Sequence, residues 1–195
     1  MTMALDAEQE ISDEALLVAF GHGDQRAAGQ LTLRLTPRVL GFATRLLGGD
    51  RAEAEDVTQD ALMRLWKVAP EWRQGEAKVT TWLYQVTRNL CLDRLRKKRG
   101  VDLDAIPEPE DDAPGAVQGL IEADRAAALT AALAGLSERQ RVAVTLRHIE
   151  GLTNPEIAEV MEISVEAVES LTARGKRALA AALADQREEL GYVDE

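Results

Sequence analysis

The chain has 195 residues, 23 basic and 34 acidic side chains and a formal net charge of −11, and aromatic residues make up only 4% of it. Its many Ala, Leu, Glu and Arg residues favour helices over sheets, which excludes an all-β fold. One cysteine, Cys91, excludes an internal disulfide, and with only two histidines we expect no metal site and no cofactor. Residues 1–14 are acidic, without the basic start and apolar stretch of a signal peptide, and no apolar run approaches about 20 residues. We therefore expect a cytoplasmic protein without membrane insertion.

The charge is strongly segregated along the chain. Residues 1–100 carry 15 basic and 14 acidic side chains, whereas residues 101–122 carry seven acidic and no basic ones. Within the first block, six basic residues oppose the single Asp93: Arg88, Arg94, Arg96, Lys97, Lys98 and Arg99. This stripe predicts a positive surface on an otherwise acidic protein.

Residues 10–100 are predicted to form a first helical domain. The first helix has apolar residues at intervals of three and four, and Pro37 is expected to kink or split it: Ala28, Leu31, Leu35, Val39, Phe42 and Leu46. Asp50 is expected to cap a second helix that stops at Pro70 and has a similar stripe: Ala54, Val57, Ala61, Leu65 and Val68. A third helix, with Val79, Trp82, Val86 and Leu90 on its buried side, displays the basic stripe on another face.

The rest of the chain predicts a linker, a second helical domain and a tail. Residues 101–122 hold three prolines and seven carboxylates, which is typical of a flexible linker. In residues 123–184, Ser137 with Gln140 and Thr153 with Glu156 have capping-box spacing. A helix of about eight residues, a three-residue turn and a helix of about twenty residues capped by Ser164 then give a helix-turn-helix layout. Residues 185–195 form an acidic tail. The fold class is therefore all-α, with two small domains joined by an acidic linker.

Three segments, taken together and in this order, resemble the extracytoplasmic-function (ECF) sigma factors of bacterial RNA polymerase. They read AEAEDVTQDALMRLWK from Ala52, TTWLYQVTRNLCLDRLRKKR from Thr80, and GLSERQRVAVTLRHIEGLTNPEIAEVMEISVEAVESLTARGKRAL from Gly135. The resemblance implies sigma region 2 in the first domain and sigma region 4 in the second. It also implies a non-enzymatic factor that directs core polymerase to promoters, for a regulon that responds to stress or to the environment.

The resemblance implies three sets of site residues. In the first, the helix from Ala52 docks on the coiled coil of the polymerase beta-prime subunit, through Glu55, Asp56, Gln59, Asp60 and Arg64. In the second, region 2 captures the nontemplate single strand of the minus-ten element, through Trp72, Arg73, Lys78, Thr81, Arg88, Asn89, Arg96 and Arg99. In the third, region 4 reads the duplex minus-thirty-five element, through Ser164, Glu166, Ala167, Glu169, Ser170, Arg174, Lys176 and Arg177. The implied partners are core polymerase, including its beta subunit, promoter DNA and an anti-sigma factor.

Some of these residues have two interpretations. Trp72 lies in a loop, where a stacking role on single-stranded DNA and a simple hydrophobic clasp are equally compatible with the sequence. In the recognition helix Glu169 can accept from cytosine N4 and Leu171 can meet a thymine methyl group. Thr172 stands where relatives commonly carry an apolar residue, which predicts looser packing of that helix.

Two alternatives remain open at the level of the whole chain. The helix-turn-helix segment also resembles the DNA-binding domain of free-standing regulators, which bind duplex operator DNA without polymerase. An enzyme is disfavoured because no nucleophile, base and metal set is clustered in the sequence.

The acidic linker is either an inert spacer or a mask that lies against the basic stripe and limits binding to random DNA.

Overall fold

The computed structural model describes residues 11–75, 77–101 and 117–184, with the side chains of residues 99, 101 and 117–124 excepted, and every regular element in these ranges is helical. The first domain consists of α1 (Asp13–Gly21), α2 (Gln25–Leu46), α3 (Arg51–Val68) and α4 (Val79–Val101). The second consists of α5 (Val117–Ala134), α6 (Glu138–Val144), α7 (Asn154–Met161) and α8 (Val165–Ala184). A 3₁₀ turn at Ala69–Glu71 follows α3, and a π-helical segment at Thr145–Ile149 continues α6.

The first three helices begin at side-chain caps. Ser12 accepts from the Ala15 N–H at 3.2 Å, Asp24 from Arg26 at 2.9 Å and Asp50 from Glu53 at 3.0 Å, so each cap satisfies an amide that lacks a helical partner. The Asp50 cap confirms the sequence prediction. Helix α1 was not predicted, because residues 15–20 are all apolar and therefore form no periodic stripe.

Helix α2 passes through Pro37 as a single helix rather than splitting there. Pro37 is exposed, and Leu33, whose carbonyl loses its amide partner at the proline, has 80% of its surface exposed. The unpaired carbonyl therefore lies on the side of the helix that water can reach, while Leu31, Leu35 and Val39 stay buried on the other.

The second domain differs from the prediction at two helix starts. Helix α5 begins at Val117, five residues before the predicted end of the linker at residue 122. Ser137 is the N-cap residue of α6 but makes no side-chain cap hydrogen bond, so the predicted box with Gln140 is wrong. Arg141 holds this corner instead, donating to the carbonyls of Leu133 at 2.9 Å and Ala134 at 2.7 Å.

The helix-turn-helix prediction is confirmed by α7 and α8. Glu156 accepts from the Thr153 N–H at 2.8 Å, which completes the predicted capping box of α7. Glu162 ends α7 in the left-handed region at φ 55°, and Ser164 accepts from the Ala167 N–H at 3.3 Å at the start of α8. The lengths of α7 and α8, eight and 20 residues, also match the expectation.

The two domains pack against each other through α4 and α7. Leu83 and Leu90 of α4 belong to the same cluster of buried side chains as Ile157 and Val160 of α7. Arg141 adds a polar link, donating to the carbonyl of Leu46 at the end of α2 at 2.8 Å. Helix α4 therefore lies between the rest of its own domain and the helix-turn-helix.

Candidate polymerase and promoter interfaces

Helix α3 separates a buried stripe from an exposed polar face. Ala54, Val57 and Ala61 are fully buried, while Glu55, Asp56, Gln59 and Arg64 on the other side are exposed. Asp60 lies at the edge of this face and its side chain is 49% exposed. The structure therefore brings the five residues of the expected polymerase site onto one accessible surface.

The edge of this face is tied to α4 by ion pairs. Arg94 donates to Glu53 and, through Nη2, to Asp60 Oδ2 at 3.2 Å, and Lys98 Nζ lies 2.6 Å from Asp50 Oδ2. The hydrogen bond from Lys98 lowers the pKa of Asp50. Arg94 is only 21% exposed, so this part of the predicted basic stripe joins α4 to α3 instead of facing DNA.

Two residues of the basic stripe have other surroundings. Arg96 is exposed on α4 and pairs with Asp93 at 3.3 Å, so it can exchange that carboxylate for another anion. The side chain of Arg99 lies outside the described residues. Cys91, between the stripe and the core, is fully buried, and burial raises the pKa of its thiol to about 12.

The loop between α3 and α4 carries an aromatic cleft. Trp72 meets Trp82 edge to face with ring centroids 6.1 Å apart, and the Trp72 indole N–H is buried without a hydrogen-bond partner. A cavity of about 240 Å³ opens beside the pair and is also lined by Val68, Arg73 and Ala77. The contact between Trp72 and Trp82 is the hydrophobic clasp that one interpretation of Trp72 expects. The cavity beside the pair leaves room for the other interpretation, in which Trp72 stacks on a DNA base.

The remaining minus-ten residues lie on α4, except Lys78, which directly precedes it. Lys78 is exposed, Thr81 is 6% exposed, and Asn89 is exposed and accepts from Arg88 Nη1 at 3.1 Å. Arg88 is half-buried, its Nε has no hydrogen-bond partner, and burial lowers the pKa of its guanidinium group. Thr81 and Arg88 are thus on the expected helix but largely covered in this structure.

Helix α8 presents a polar outer face. Glu166, Glu169, Ser170, Arg174, Lys176 and Arg177 are exposed, and Ala167 is half-buried. Arg174 donates to the Ser170 carbonyl at 3.2 Å, and Asn154 donates to Glu169 at 3.4 Å. Most of the expected minus-thirty-five residues therefore share one open surface.

The inner face of α8 packs in the core, which corrects the expectation for Leu171. Leu171 is only 9% exposed and packs in the core, so it is not available to meet a thymine methyl group. The hydroxyl of Thr172 is buried without a hydrogen-bond partner, which is unfavourable, and the looser packing expected of this helix stays a prediction. Gly175 allows close contact with α6, since a Cβ there would lie 2.5 Å from Val144 Cγ2.

Comparisons with known proteins identify the family. The Sigma-70 region 2 model matches residues 31–101, and the Sigma-70 region 4 model matches residues 126–179. The chain is 31% identical to the RNA polymerase sigma-H factor of Pseudomonas aeruginosa over 182 residues, which cover 88% of this chain and 93% of that relative. The chain belongs to the ECF sigma factors. It is also 26% identical to the ECF RNA polymerase sigma-E factor of Escherichia coli (strain K12), covering 88% and 94% of the two chains.

Solved structures support the same assignment. The structure of CnrH in complex with the cytosolic domain of CnrY matches with a TM-score of 0.66 and 26% identity, over 89% of this chain and 97% of the matched chain. The ECF sigma factor SigJ of Mycobacterium tuberculosis matches with a TM-score of 0.50 and 26% identity, over 79% of this chain and 53% of SigJ. The predicted family and all-α, two-domain fold are confirmed.

The family settles the function at the level of the whole chain. This sigma factor binds core RNA polymerase and directs promoter recognition and transcription initiation, and the comparisons do not favour a free-standing regulator. Sigma factors are non-enzymatic initiation factors. Within the described residues, no helix is both long and apolar enough to span a membrane.

Proposed function

We propose that the outer face of α3 is the surface by which this sigma factor docks on the beta-prime coiled coil of core polymerase. The observation that carries this proposal is the division of α3 into a buried stripe and an exposed polar face. Because Glu55, Asp56 and Gln59 are exposed, the fold does not require them, and their side chains are available to a partner.

Met63 extends the proposed face with an apolar contact. It is 49% exposed, one helical turn beyond Gln59 and next to Arg64, and it lies outside the set of residues expected from the sequence. An exposed apolar side chain inside a polar face is a common form of interface anchor, because its burial on binding is favourable. The Met63 side chain is therefore proposed to lie at the centre of the docking surface.

A pull-down with core polymerase tests the docking surface. The double variant Asp56→Ala, Gln59→Ala should lose binding while its melting midpoint stays close to wild type, because exposed polar changes shift stability by within about 0.5 kcal/mol. Gln30→Ala, on the exposed side of α2, is the control and should bind normally. Unchanged binding by the double variant would contradict the proposal.

The loop and α4 are proposed to capture the nontemplate strand of the minus-ten element. The cavity beside Trp72 and Trp82 supports this assignment because it combines an aromatic wall with the exposed Arg73. The other proposed contacts lie on α4 and directly before it: Lys78, Thr81, Arg88, Asn89 and Arg96. Aromatic faces stack on bases of any sequence, and cations hold the phosphates between them.

Promoter opening in the holoenzyme tests this strand-capture site. An Asn89→Ala holoenzyme should bind duplex promoter but fail to open it, which a permanganate footprint detects as lost reactivity of unpaired thymines. Lys97→Ala, an exposed residue of α4 outside the proposed site, should open promoters normally. A normal footprint with Asn89→Ala would rule out the assignment of Asn89.

The outer face of α8 is proposed to read the minus-thirty-five element in the major groove. Its support is the exposure of six polar or charged side chains on one side of a helix that follows a helix-turn-helix turn. Arg174, Lys176 and Arg177 are placed to hold phosphates, while Glu166, Glu169 and Ser170 are placed toward base edges.

Two further expectations are part of this proposal. The protein is proposed to act in the cytoplasm, where polymerase and DNA are found. It is also proposed to be held inactive by an anti-sigma factor, as a neighbour of the same fold, the sigma factor RpoE of Bartonella quintana, was solved in complex with the anti-sigma factor NepR. Co-purification of the full chain with a bound inhibitor that is released on activation would test the second expectation.

A further inference from the structure

A hydrogen bond joins the side chains of the two helices of the helix-turn-helix. Asn154, the first residue of α7, donates through Nδ2 to Oε1 of Glu169 on α8 at 3.4 Å. A carboxylate only accepts, so the amide nitrogen of Asn154 is the atom that faces it. Glu169 is exposed on the outer face of α8, and Asn154 is half-buried beside it. We call these two side chains the amide–carboxylate pair.

Asn154 is free to reach α8 because other residues cap α7. An asparagine at a helix start usually accepts from a backbone N–H of the first turn. Here the capping box of Thr153 and Glu156 serves the first turn, with the Thr153 N–H donating to Glu156 at 2.8 Å. Pro155, which follows Asn154, has no N–H to satisfy. The Asn154 amide is therefore not required by its own helix.

The contact distinguishes Glu169 from the other glutamate of the α8 outer face. Glu166 is also exposed, but its carboxylate accepts from its own backbone N–H and from the Ser164 hydroxyl, which lowers its pKa. Glu166 is thus held by the start of its own helix. Glu169 is held by a residue of another helix, and that bond engages Oε1, so Oε2 can accept from a DNA base.

Holding the Glu169 side chain matters for its binding to a base. An exposed glutamate samples many rotamers, and fixing it on a base costs conformational entropy. The bond from Asn154 restricts those rotamers before DNA binds, so less freedom is lost on binding. The bond is also stronger than one between neutral groups because its acceptor is charged. Asn154 therefore presents the carboxylate to the groove in one orientation.

The carboxylate of Glu169 selects among the four bases. In the major groove only cytosine N4 and adenine N6 donate from a base edge, and a carboxylate needs a donor. Adenine carries the acceptor N7 beside N6, and that acceptor repels a carboxylate, whereas cytosine carries only a C–H group beside N4. Guanine and thymine present acceptors. Glu169 therefore favours cytosine at the position that it faces.

We propose that Asn154 is a positioning residue that holds the Glu169 carboxylate for cytosine at one position of the minus-thirty-five element. The inference rests on the proposed role of the outer face of α8 as the reader of that element. It deepens that role, because it names the base, the group that reads it and a residue outside α8 that affects the choice.

Selection from a promoter library tests the proposal. Holoenzyme assembled from core polymerase and the full-length chain binds a duplex library with a fully randomised promoter region, and the bound DNA is sequenced. Wild type should enrich cytosine over the other bases on the order of tenfold at one position of the minus-thirty-five element. Asn154→Ala should lose most of this enrichment and keep the other preferences. Absence of the cytosine preference in wild type, or its persistence in Asn154→Ala, would overturn the proposal.

The same selection separates positioning from a direct contact between Asn154 and a phosphate. Phosphate contacts carry no sequence information, so their loss weakens binding to all promoters alike. Loss of a positioning residue changes the base preference at the position that Glu169 reads. A uniform loss of affinity by Asn154→Ala, with unchanged base preferences, would assign Asn154 to a phosphate and overturn its positioning role.

Asn154→Asp separates the donor role from a structural one. Aspartate has nearly the same shape as asparagine, but it offers no N–H and brings a like charge next to Glu169. It also suits a helix start, because negative charge is favourable at the positive end of the helix dipole. The variant should therefore keep the wild-type melting midpoint and lose the cytosine enrichment at least as fully as Asn154→Ala. A wild-type preference in Asn154→Asp would contradict the positioning role.

Substitution of Glu169 distinguishes failure of this proposal from failure of the α8 face. Glutamine binds adenine N6 and N7 at two points, so Glu169→Gln should change the preference at that one position from cytosine to adenine. Glu159→Gln, at an exposed glutamate of α7, is the matched control and should select like wild type. If Glu169→Gln changes the preferred base but the Asn154 variants do not, the α8 face stands and the positioning role falls. If Glu169→Gln leaves every position unchanged, base reading by Glu169 on the α8 face falls as well.

Discussion

Helices α4 and α8 are the two proposed DNA-binding helices of this sigma factor, and α4 is partly covered whereas the outer face of α8 is open. Six of the eight expected minus-thirty-five residues are exposed on α8. On α4, Thr81 is buried and Arg88 is half-buried beneath the second domain. A helix at the surface of one domain therefore keeps its polar side chains accessible, whereas a helix between the two domains has some of them covered.

The difference follows from where each helix lies in the core. Helix α8 packs its inner face on α6 through Val168, Leu171 and Gly175 and leaves its outer face to solvent. Helix α4 packs on α2 and α3 with one side and meets α7 with another, so its polar side chains from Thr81 to Arg88 are largely covered, while Asn89 and Arg96 stay exposed. Polar side chains on a helix between two domains can be covered by both domains, whereas one side of a helix at the surface stays exposed to solvent.

The largest effect is expected from breaking the link that Arg141 makes between the domains. Its guanidinium group donates to the carbonyls of Leu46, Leu133 and Ala134, and removing a charged donor that satisfies several carbonyls should cost about 3 kcal/mol of unfolding free energy. Arg141→Ala should therefore unfold at clearly lower urea and should also expose α4. Arg139→Ala, an exposed neighbour, is the matched control and should change little. Equal urea midpoints for the two variants would contradict this role.

A smaller effect on α8 is expected from adding one methyl group at Gly175. The new Cβ would lie 2.5 Å from Val144 Cγ2, so α8 must shift on α6 at a cost of about 1–3 kcal/mol. Gly175→Ala should lower the melting midpoint and weaken duplex promoter binding. Gly29→Ala, in α2 with open space around it, should instead be neutral or stabilising because alanine favours the helix. If Gly29→Ala lowered the melting midpoint and Gly175→Ala did not, the packing of α8 on α6 would not depend on Gly175.

Salt should weaken the binding of duplex promoter through the open face of α8. Replacing Arg174 and Arg177 with Ala should weaken holoenzyme binding to duplex promoter and reduce the slope of log affinity against log salt by about one per lost phosphate contact. Lys176 stays in place as an internal reference on the same face. The slope is measured by filter binding over a salt series. An unchanged slope would show that these two arginines do not contact phosphates.

The parts of the fold that the sequence predicts are those determined locally. The α3 stripe at Ala54, Val57 and Ala61, the Asp50 cap and the Thr153–Glu156 capping box depend on residues within one or two helical turns, so spacing alone reveals them. The candidate polymerase face follows from the same periodicity, because the exposed side of an amphipathic helix is the complement of its buried side.

The parts that the sequence does not predict depend on residues far apart in the chain. Arg94 was expected in a DNA-binding stripe, but its partners Glu53 and Asp60 come from another helix. Glu150 was not singled out at all, although it joins Tyr84 and Arg45 across the domain boundary. Charge patterns along a sequence cannot say which opposite charge will lie nearby in space. The state of α4 is a property of tertiary packing.

The smallest effect is expected from the pH dependence of the contact between Lys78 and Glu156. The hydrogen bond from Lys78 lowers the pKa of Glu156 from 4.5 to about 2, and the same contact raises the pKa of Lys78 above 10.5. A carboxyl group whose pKa is lowered on folding stabilises the folded state above its unfolded pKa and loses that contribution as pH falls toward the folded value. For the lysine, the contribution is complete below pH 10.5 and is lost as pH rises above it. The contact should therefore be complete between about pH 4.5 and 10.5 and should weaken below that window.

Carbon-detected NMR of the Glu156 carboxyl group checks this directly. At pH 3.5 the carboxyl group should be largely ionised in wild type and substantially more protonated in Lys78→Met, although the Thr153 N–H and hydroxyl will keep part of the shift. Lys97→Met, an exposed lysine on the same helix, is the control and should titrate like wild type. Because the pair is exposed to solvent, it is one of several contacts that cover α4, and its loss alone should not open the domains. If Glu156 in Lys78→Met titrates as in wild type, the ion pair between Lys78 and Glu156 does not form in solution.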